Sequence, residues 1–154
     1  MIRPAIERDI DTLLPIELRC FHHDRLTRLD FHRALAAKSA ILLVAEEGGA
    51  VLGYTLLRVR GRQAHLESLA VDPPARRLGL GRMLLKAAEQ AVLERGALHM
   101  RLEIREDNPA AFALYESLGY RHHGTWLEYY EDESDARRLR KALGPEDSED
   151  ALGI

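Results

Sequence analysis

Cysteine is nearly missing from this chain: Cys20 is the one thiol among 154 residues. A lone cysteine excludes an intrachain disulfide and any cysteine-based metal cluster, and it suits a reducing compartment. Long hydrophobic runs are also missing. The longest, Ala40 to Ala45, falls far short of the roughly 20 residues that a membrane-spanning helix needs. The first residues, M-I-R-P-A-I-E-R-D, contain no apolar signal core. A net charge of −3 gives no basic field to attract nucleic acid or an anionic membrane. Metal-binding spacing is absent as well, because His22-His23 and His122-His123 are adjacent pairs and no H-E-x-x-H occurs. The expectation is a cytoplasmic protein, monomeric or homodimeric, with no metal, no nucleic-acid partner and no membrane association.

What is present is an ordinary globular composition, 46% apolar and 31% charged, on a chain of single-domain length. Residues 1–143 are expected to form that domain. The acidic end, G-P-E-D-S-E-D-A-L-G-I from Gly144, has few large apolar groups and is expected to be a disordered tail. Ile10, Leu13, Leu14, Leu18 and Phe21 recur at helical spacing behind Asp9, a good N-cap, with Pro15 a source of distortion. A second, weaker helix is expected from about Asp30 to Lys38. The period then changes, and Ala40 to Glu46, Val51 to Arg60 and Ala64 to Val71 read as three antiparallel strands joined by glycine turns. A strongly amphipathic helix begins near Gly79 and stops at Gly96. Leu98 to Ile104 alternates, with Glu103 on the face opposite the apolar residues. Asn108-Pro109 opens a short helix ending before Gly119, and Tyr120 to Tyr130 reads as a further strand.

Arg76 to Gly81 reads R-R-L-G-L-G and joins a strand to a helix. Gly79 and Gly81 allow a sharp turn and a close approach of backbone N–H groups to an anion. The helix start adds unpaired N–H groups and roughly half a positive charge, and Arg76, Arg77 and Arg82 surround it. A phosphate-bearing ligand suits this junction. It is not a P-loop, since Arg82-Met83 follows Gly81, and it is not a dinucleotide fingerprint, since position 84 is Leu84. The bland alternative is a glycine turn with solvated arginines.

The run L-E-S-L-A-V-D-P-P-A-R-R-L-G-L-G-R-M-L-L, Leu66 to Leu85, resembles the GNAT superfamily of acyl-CoA-dependent N-acyltransferases, with Arg76, Gly79 and Gly81 on its [Q/R]-x-x-G-x-[G/A] signature. A second segment, R-L-E-I-R-E-D-N-P-A-A-F-A-L-Y-E-S-L-G-Y from Arg101 to Tyr120, is similar to the family's downstream element. The L-E-[V/I]-R entry and the Tyr129-Tyr130 pair resemble the protein N-terminal branch that includes ribosomal-protein alanine acetyltransferases. The resemblance implies an α/β GNAT fold, a mixed, mainly antiparallel sheet flanked by helices and splayed to accept acetyl-CoA. It implies that the backbone of Leu69, Ala70 and Val71 pairs with the pantetheine arm and that Arg76, Arg77, Leu78, Gly79, Leu80, Gly81 and Arg82 hold the pyrophosphate. Leu78 departs from the Arg, Lys or Gln common there. The run R-R-L-R-K-A-L after Ala136 is more basic than the last strand usual in that branch.

Acetyl transfer to an amine needs a proton acceptor and a proton donor. Tyr115 lies two helical turns after Asn108, so both can meet one ligand. Tyr115 is the candidate general acid and Asn108 the candidate cofactor contact; the alternatives are a core aromatic and a simple cap. Glu103 is the candidate base, acting through water, with Glu67 its rival and an arginine-paired strand carboxylate the alternative for each. An α-amine of pKa near 7.8 is roughly 14% neutral at pH 7 and a lysine amine about 0.04%, so a carboxylate suffices more readily for the first. Tyr129 and Tyr130 occupy the family's peptide-binding position, and as neighbours on a strand at most one would face the acceptor. Phe21 and the segment after it are expected to line the same pocket. The leading acceptor is a protein or peptide N-terminus; a small amine is the alternative, and an acyl-CoA-sensing module without turnover is the reading from another class.

Overall fold

The computed structural model describes residues 1–144; the expected acidic tail lies, from 145 on, outside the described residues. Strands β1 (Ile2–Pro4), β2 (Ala40–Glu47), β3 (Ala50–Arg60), β4 (Gln63–Val71), β5 (His99–Arg105), β6 (Arg121–Trp126) and β7 (Ala136–Ala142) form one sheet in the order β1-β2-β3-β4-β5-β7-β6. Helices α1 (Ile10–Cys20), α2 (Arg28–Ala36), α3 (Leu80–Glu94) and α4 (Pro109–Ser117) cover it. All strand pairs are antiparallel except β4 with β5. No helix among the described residues is long and apolar enough to cross a membrane.

The apolar run of β2 is explained by burial on both faces. Ile41 and Leu43 join a core with Leu85, Ala88 and Val92 of α3, while Leu42 and Val44 join one with Ile10, Leu13 and Ile16 of α1 and Phe31 of α2. A strand covered on both sides reads as a continuous hydrophobic stretch. Most of the basic run Arg137 to Leu143 lies in a strand, β7, inserted between β5 and β6. Ala136 and Leu139, on opposite faces of the strand, are both buried, and Arg137 and Arg138 lie over the rings of Phe112 and Trp126. Long cationic stems thus cover aromatic surface where apolar residues would otherwise stand.

Three expectations need correction. Asp9 does not cap α1: its backbone is already helical, and its carboxylate accepts from Ile6 N–H (2.7 Å) and twice from the Arg3 guanidinium (2.9 Å each). Pro15 sits inside α1 without ending it. Helix α2 starts at Arg28, because Thr27 accepts from Asp30 N–H (3.2 Å) while Asp30 accepts from Thr27 N–H (2.8 Å). The strand expected to reach Tyr130 stops at Trp126, after a register shift between His122 and Thr125, and Glu128 at φ 51° then turns the chain. Tyr129 and Tyr130 lie in that turn, so strand alternation does not orient them.

Candidate active site

Strands β4 and β5 are paired only at Gln63 with His99, Ala64 with Met100 and His65 with Arg101. Past that rung they separate. The β4 edge from Leu66 to Val71 keeps β3 on one side and faces a gap on the other. Two cavities of about 540 and 600 Å³ fill the gap, and both are lined by Cys20, Phe21, Leu69, Asn108, Ala111 and Tyr115. They meet at these residues, and each takes its name from the ligand the sequence leads one to expect there: the cavity of about 540 Å³ beside the glycine turn is the donor cleft, and that of about 600 Å³ beside Glu103 the acceptor chamber.

The donor cleft is lined by Ala70, Val71, Arg76, Arg77, Gly79, Leu80, Gly81 and Arg82 in addition to the shared residues. Of the residues expected to hold the cofactor, only Leu78 is not part of its wall, and its side chain is exposed. The first hydrogen bond of the α3 end runs from Met83 N–H to the Gly79 carbonyl (3.1 Å), leaving Leu80, Gly81 and Arg82 N–H without an acceptor in the helix. No side chain caps this end and no acidic residue occupies its first turn. Arg77 and Gly79 both have positive φ, 72° and 79°, and strain of about 1 kcal/mol or more is stored at the non-glycine position. At Gly81 an added Cβ would touch only Val71 Cγ2 at 3.9 Å, so packing within the protein does not demand glycine there. Its bareness keeps the cleft open beside uncapped N–H groups, which fits a pyrophosphate. Arg76, though exposed, folds back on the protein, donating to the Val71 carbonyl (3.2 Å) and contacting Cys20 Sγ (3.5 Å). It braces the turn. Burial pushes the Cys20 thiol up, away from a reactive thiolate.

The acceptor chamber draws on Glu17, the segment Phe21 to Asp24, β4, β5 and Tyr130 with Asp132. Glu103 is within it, its side chain 7% exposed, and both Glu67 and Tyr130 share the wall. Tyr129 is half exposed and outside the lining, its ring centroid 5.0 Å from that of Trp126 in a tilted pair and 5.0 Å from that of Tyr130 edge to face. Glu67 is held by Arg58 at 3.3 Å through both oxygens, whereas Glu103 Oε1 meets His65 Nε2 at 2.7 Å. His65 was not among the residues expected from sequence. The signal was present, since alternation puts His65 and Glu67 opposite buried Ala64 and Leu66, on the face where β5 carries Glu103.

Tyr115 stands in both cavities, buried, its ring 5.6 Å from that of Tyr120, and its hydroxyl has no hydrogen-bond partner among the described residues. Burial pushes its phenol above the ordinary range, so it stays protonated at neutral pH. Asn108 caps α4, its Oδ1 accepting from Ala111 N–H (3.1 Å), which leaves its amide donors to the cavities. Arg105 ties the chamber's mouth together: it bonds Asp107 (3.1 Å), Asp132 and Ser134 (3.0 Å), and lies 4.9 Å from the Tyr130 ring centroid.

The model of the Acetyltransferase (GNAT) family matches residues 8–120. The chain is 32% identical over 149 residues to the N-terminal acetyltransferase A complex catalytic subunit NAA10 of Arabidopsis thaliana, covering 92% of this chain and 77% of that one. It superposes on the ribosomal-protein-S18-alanine N-acetyltransferase of Escherichia coli with TM-score 0.84 and 28% identity, covering 94% of each chain. Naa20 of Chaetomium thermophilum, in complex with a bisubstrate analogue, gives TM-score 0.83 and 25% identity over 93% of this chain and 86% of that one. With a sheet split between its parallel strands and an uncapped glycine turn at the split, this chain belongs to the GNAT acetyltransferase family and is an N-acetyltransferase.

Proposed function

We propose that the chain transfers acetyl from acetyl-CoA to the N-terminal α-amine of a protein or peptide, with Glu103 as base and Tyr115 as acid. The observation that carries this reading is the meeting of the two cavities at Tyr115, with the buried carboxylate of Glu103 in the acceptor chamber. Acetyl-CoA supplies the activated acyl group. Leu80, Gly81 and Arg82 N–H, aided by Arg77 and Arg82 side chains, hold its pyrophosphate, and the open β4 edge at Leu69 to Val71 aligns its arm.

On the acceptor side, Glu103 takes the proton that the amine loses, directly or through one water. The relatives named for N-terminal and ribosomal-protein-alanine acetylation support an α-amine acceptor. So does the greater neutral fraction of an α-amine at pH 7. Tyr115 Oη holds a proton for the leaving sulfur. Even at ordinary values a phenol lies about 1.5 units above a thiol, an uphill transfer of about 2 kcal/mol, and burial widens the gap. Tyr115 therefore acts first as a hydrogen-bond donor to charge developing on sulfur, and completed transfer is driven by amide formation. Tyr130, in the chamber wall, packs beside the incoming chain.

A small cationic amine is the second reading, favoured by the carboxylates of Glu17, Asp24, Glu67, Glu103, Asp107 and Asp132 around the chamber. Thiol release from acetyl-CoA, measured across a peptide N-terminus library and a panel of small amines, separates the two. Turnover that requires a peptide N-terminus is expected. Robust turnover with small amines and none with peptides would establish the second reading, and tight acetyl-CoA binding with no turnover on any acceptor would leave a sensor.

A further inference from the structure

We propose that His65 is the positioning residue that makes Glu103, rather than Glu67, the working base; this rests on Glu103 having the role given above. The two glutamates share the chamber wall but not their surroundings. Glu67 spends both oxygens on Arg58, at 3.3 Å each. Glu103 spends one. Its Oε1 is 2.7 Å from His65 Nε2, and its Oε2 is buried with no hydrogen-bond partner among the described residues. Arg101 NH1, at 3.6 Å from that second oxygen, is too distant to bond it.

A carboxylate that is to take a proton can itself only accept, so for Glu103 to work as base the 2.7 Å contact must carry its hydrogen on His65 Nε2. The other ring nitrogen, Nδ1, lies 3.9 Å from Glu67 Oε2. His65 itself is held by its place in the sheet. It is the last paired residue before β4 and β5 separate, with Arg101 beside it on β5 and Arg58 opposite it on β3. A rigid rung thus donates one hydrogen bond to one oxygen of Glu103. Rotation of the carboxylate is arrested, and the lone pairs of Oε2 remain for the amine or its water. A buried oxygen with no partner is costly unless a ligand supplies the missing donor, and the acceptor's N–H does so. When the proton leaves the amine nitrogen it arrives on Oε2, while the His65 Nε2–H bond to Oε1 stays in place.

The test compares His65→Leu, His65→Gln, Glu103→Gln and the Glu103→Gln/His65→Leu double variant, with kcat and both KM values measured on the best peptide acceptor. His65→Leu is expected to lower kcat by about 10- to 100-fold through loss of orientation. Its KM for acetyl-CoA should stay unchanged, which also shows that the site is folded. His65→Gln should recover much of the loss, since its amide can donate the same hydrogen bond. In the Glu103→Gln background, His65→Leu should add nothing. Full kcat in His65→Leu beside an inactive Glu103→Gln would overturn the role of His65 alone. Equal losses in His65→Leu and His65→Gln, or additive losses in the double variant, would reduce His65 to a sheet residue. Full activity of Glu103→Gln would instead overturn the base assignment.

Discussion

The donor cleft and the acceptor chamber are similar in volume and share six wall residues, yet they are built differently. The donor side is a backbone site: uncapped N–H groups of α3, positive φ at Arg77 and Gly79, and an open strand edge, all within the stretch from Leu69 to Arg82. The acceptor side is a side-chain site. It gathers α1, the loop before α2, strands β4 and β5 and the β6–β7 turn, and holds them with ion pairs centred on Arg105 and Asp132. A backbone site suits the constant part of a ligand, which on the proposed reading is the phosphate and arm of the donor. An assembly of side chains can be retuned without disturbing it, so on the proposed reading acceptor choice belongs to the chamber.

If the two regions are separable in this way, substitutions should divide cleanly between kcat, donor KM and acceptor KM. The largest effect is expected at the point of chemistry. Glu103→Gln should lower kcat by about 100-fold or more, and Tyr115→Phe by about 10- to 100-fold, with the acetyl-CoA KM little changed. Steady-state kinetics with acetyl-CoA and peptide each varied against a saturating level of the other checks both, and full activity of either variant over a pH series removes that residue from the mechanism.

A smaller and one-sided effect is expected at Gly81. Replacing it with valine adds a branched side chain where the protein offers only the Val71 methyl at 3.9 Å, so the fold should survive. The branches would instead enter the cleft beside the α3 N–H groups. The acetyl-CoA KM should rise roughly 10-fold, from loss of one or two charge-assisted hydrogen bonds, while the peptide KM holds. A parallel rise in both KM values would break the separation.

The same contrast explains what could be read from the sequence. The α3 turn was legible because its chemistry is local: glycines, arginines and a helix start fall within a few residues of one another. That Asn108 and Tyr115 line one cavity was legible from their helical spacing together with the family resemblance, since spacing alone suits a core tyrosine and a simple cap equally well. The sheet order, with β7 between β5 and β6, depended on cation–aromatic cover of a basic strand, which binary patterning reads as solvent-facing. Tyr129 and Tyr130 were misplaced because positive φ at Glu128 and Glu133 bends a segment whose composition suits a strand. His65 went unread since its partner is 38 residues away on another strand, a relation that only the β4–β5 register fixes.

Asp132 offers the finest test of the acceptor side. Its carboxylate joins Arg105 and lies 3.6 Å from His23 Nε2, linking the β6–β7 turn to the loop before α2 across the chamber's mouth. The Arg105 guanidinium holds the Asp132 carboxyl well below the usual carboxylate range. A carboxyl depressed in the folded state contributes stability above its unfolded pKa and loses it as pH falls through the lower, folded value. The tether is therefore intact from about pH 4 upward and opens only in stronger acid. Asp132→Asn should raise the peptide KM a few-fold, by an amount that is the same across the neutral range, should lower Tm slightly because the ion pair with Arg105 is lost, and should leave the acetyl-CoA KM close to that of the parent. A matching rise in acetyl-CoA KM would show that the two regions are mechanically one, and an unchanged peptide KM would remove the Arg105–Asp132 pair from acceptor binding.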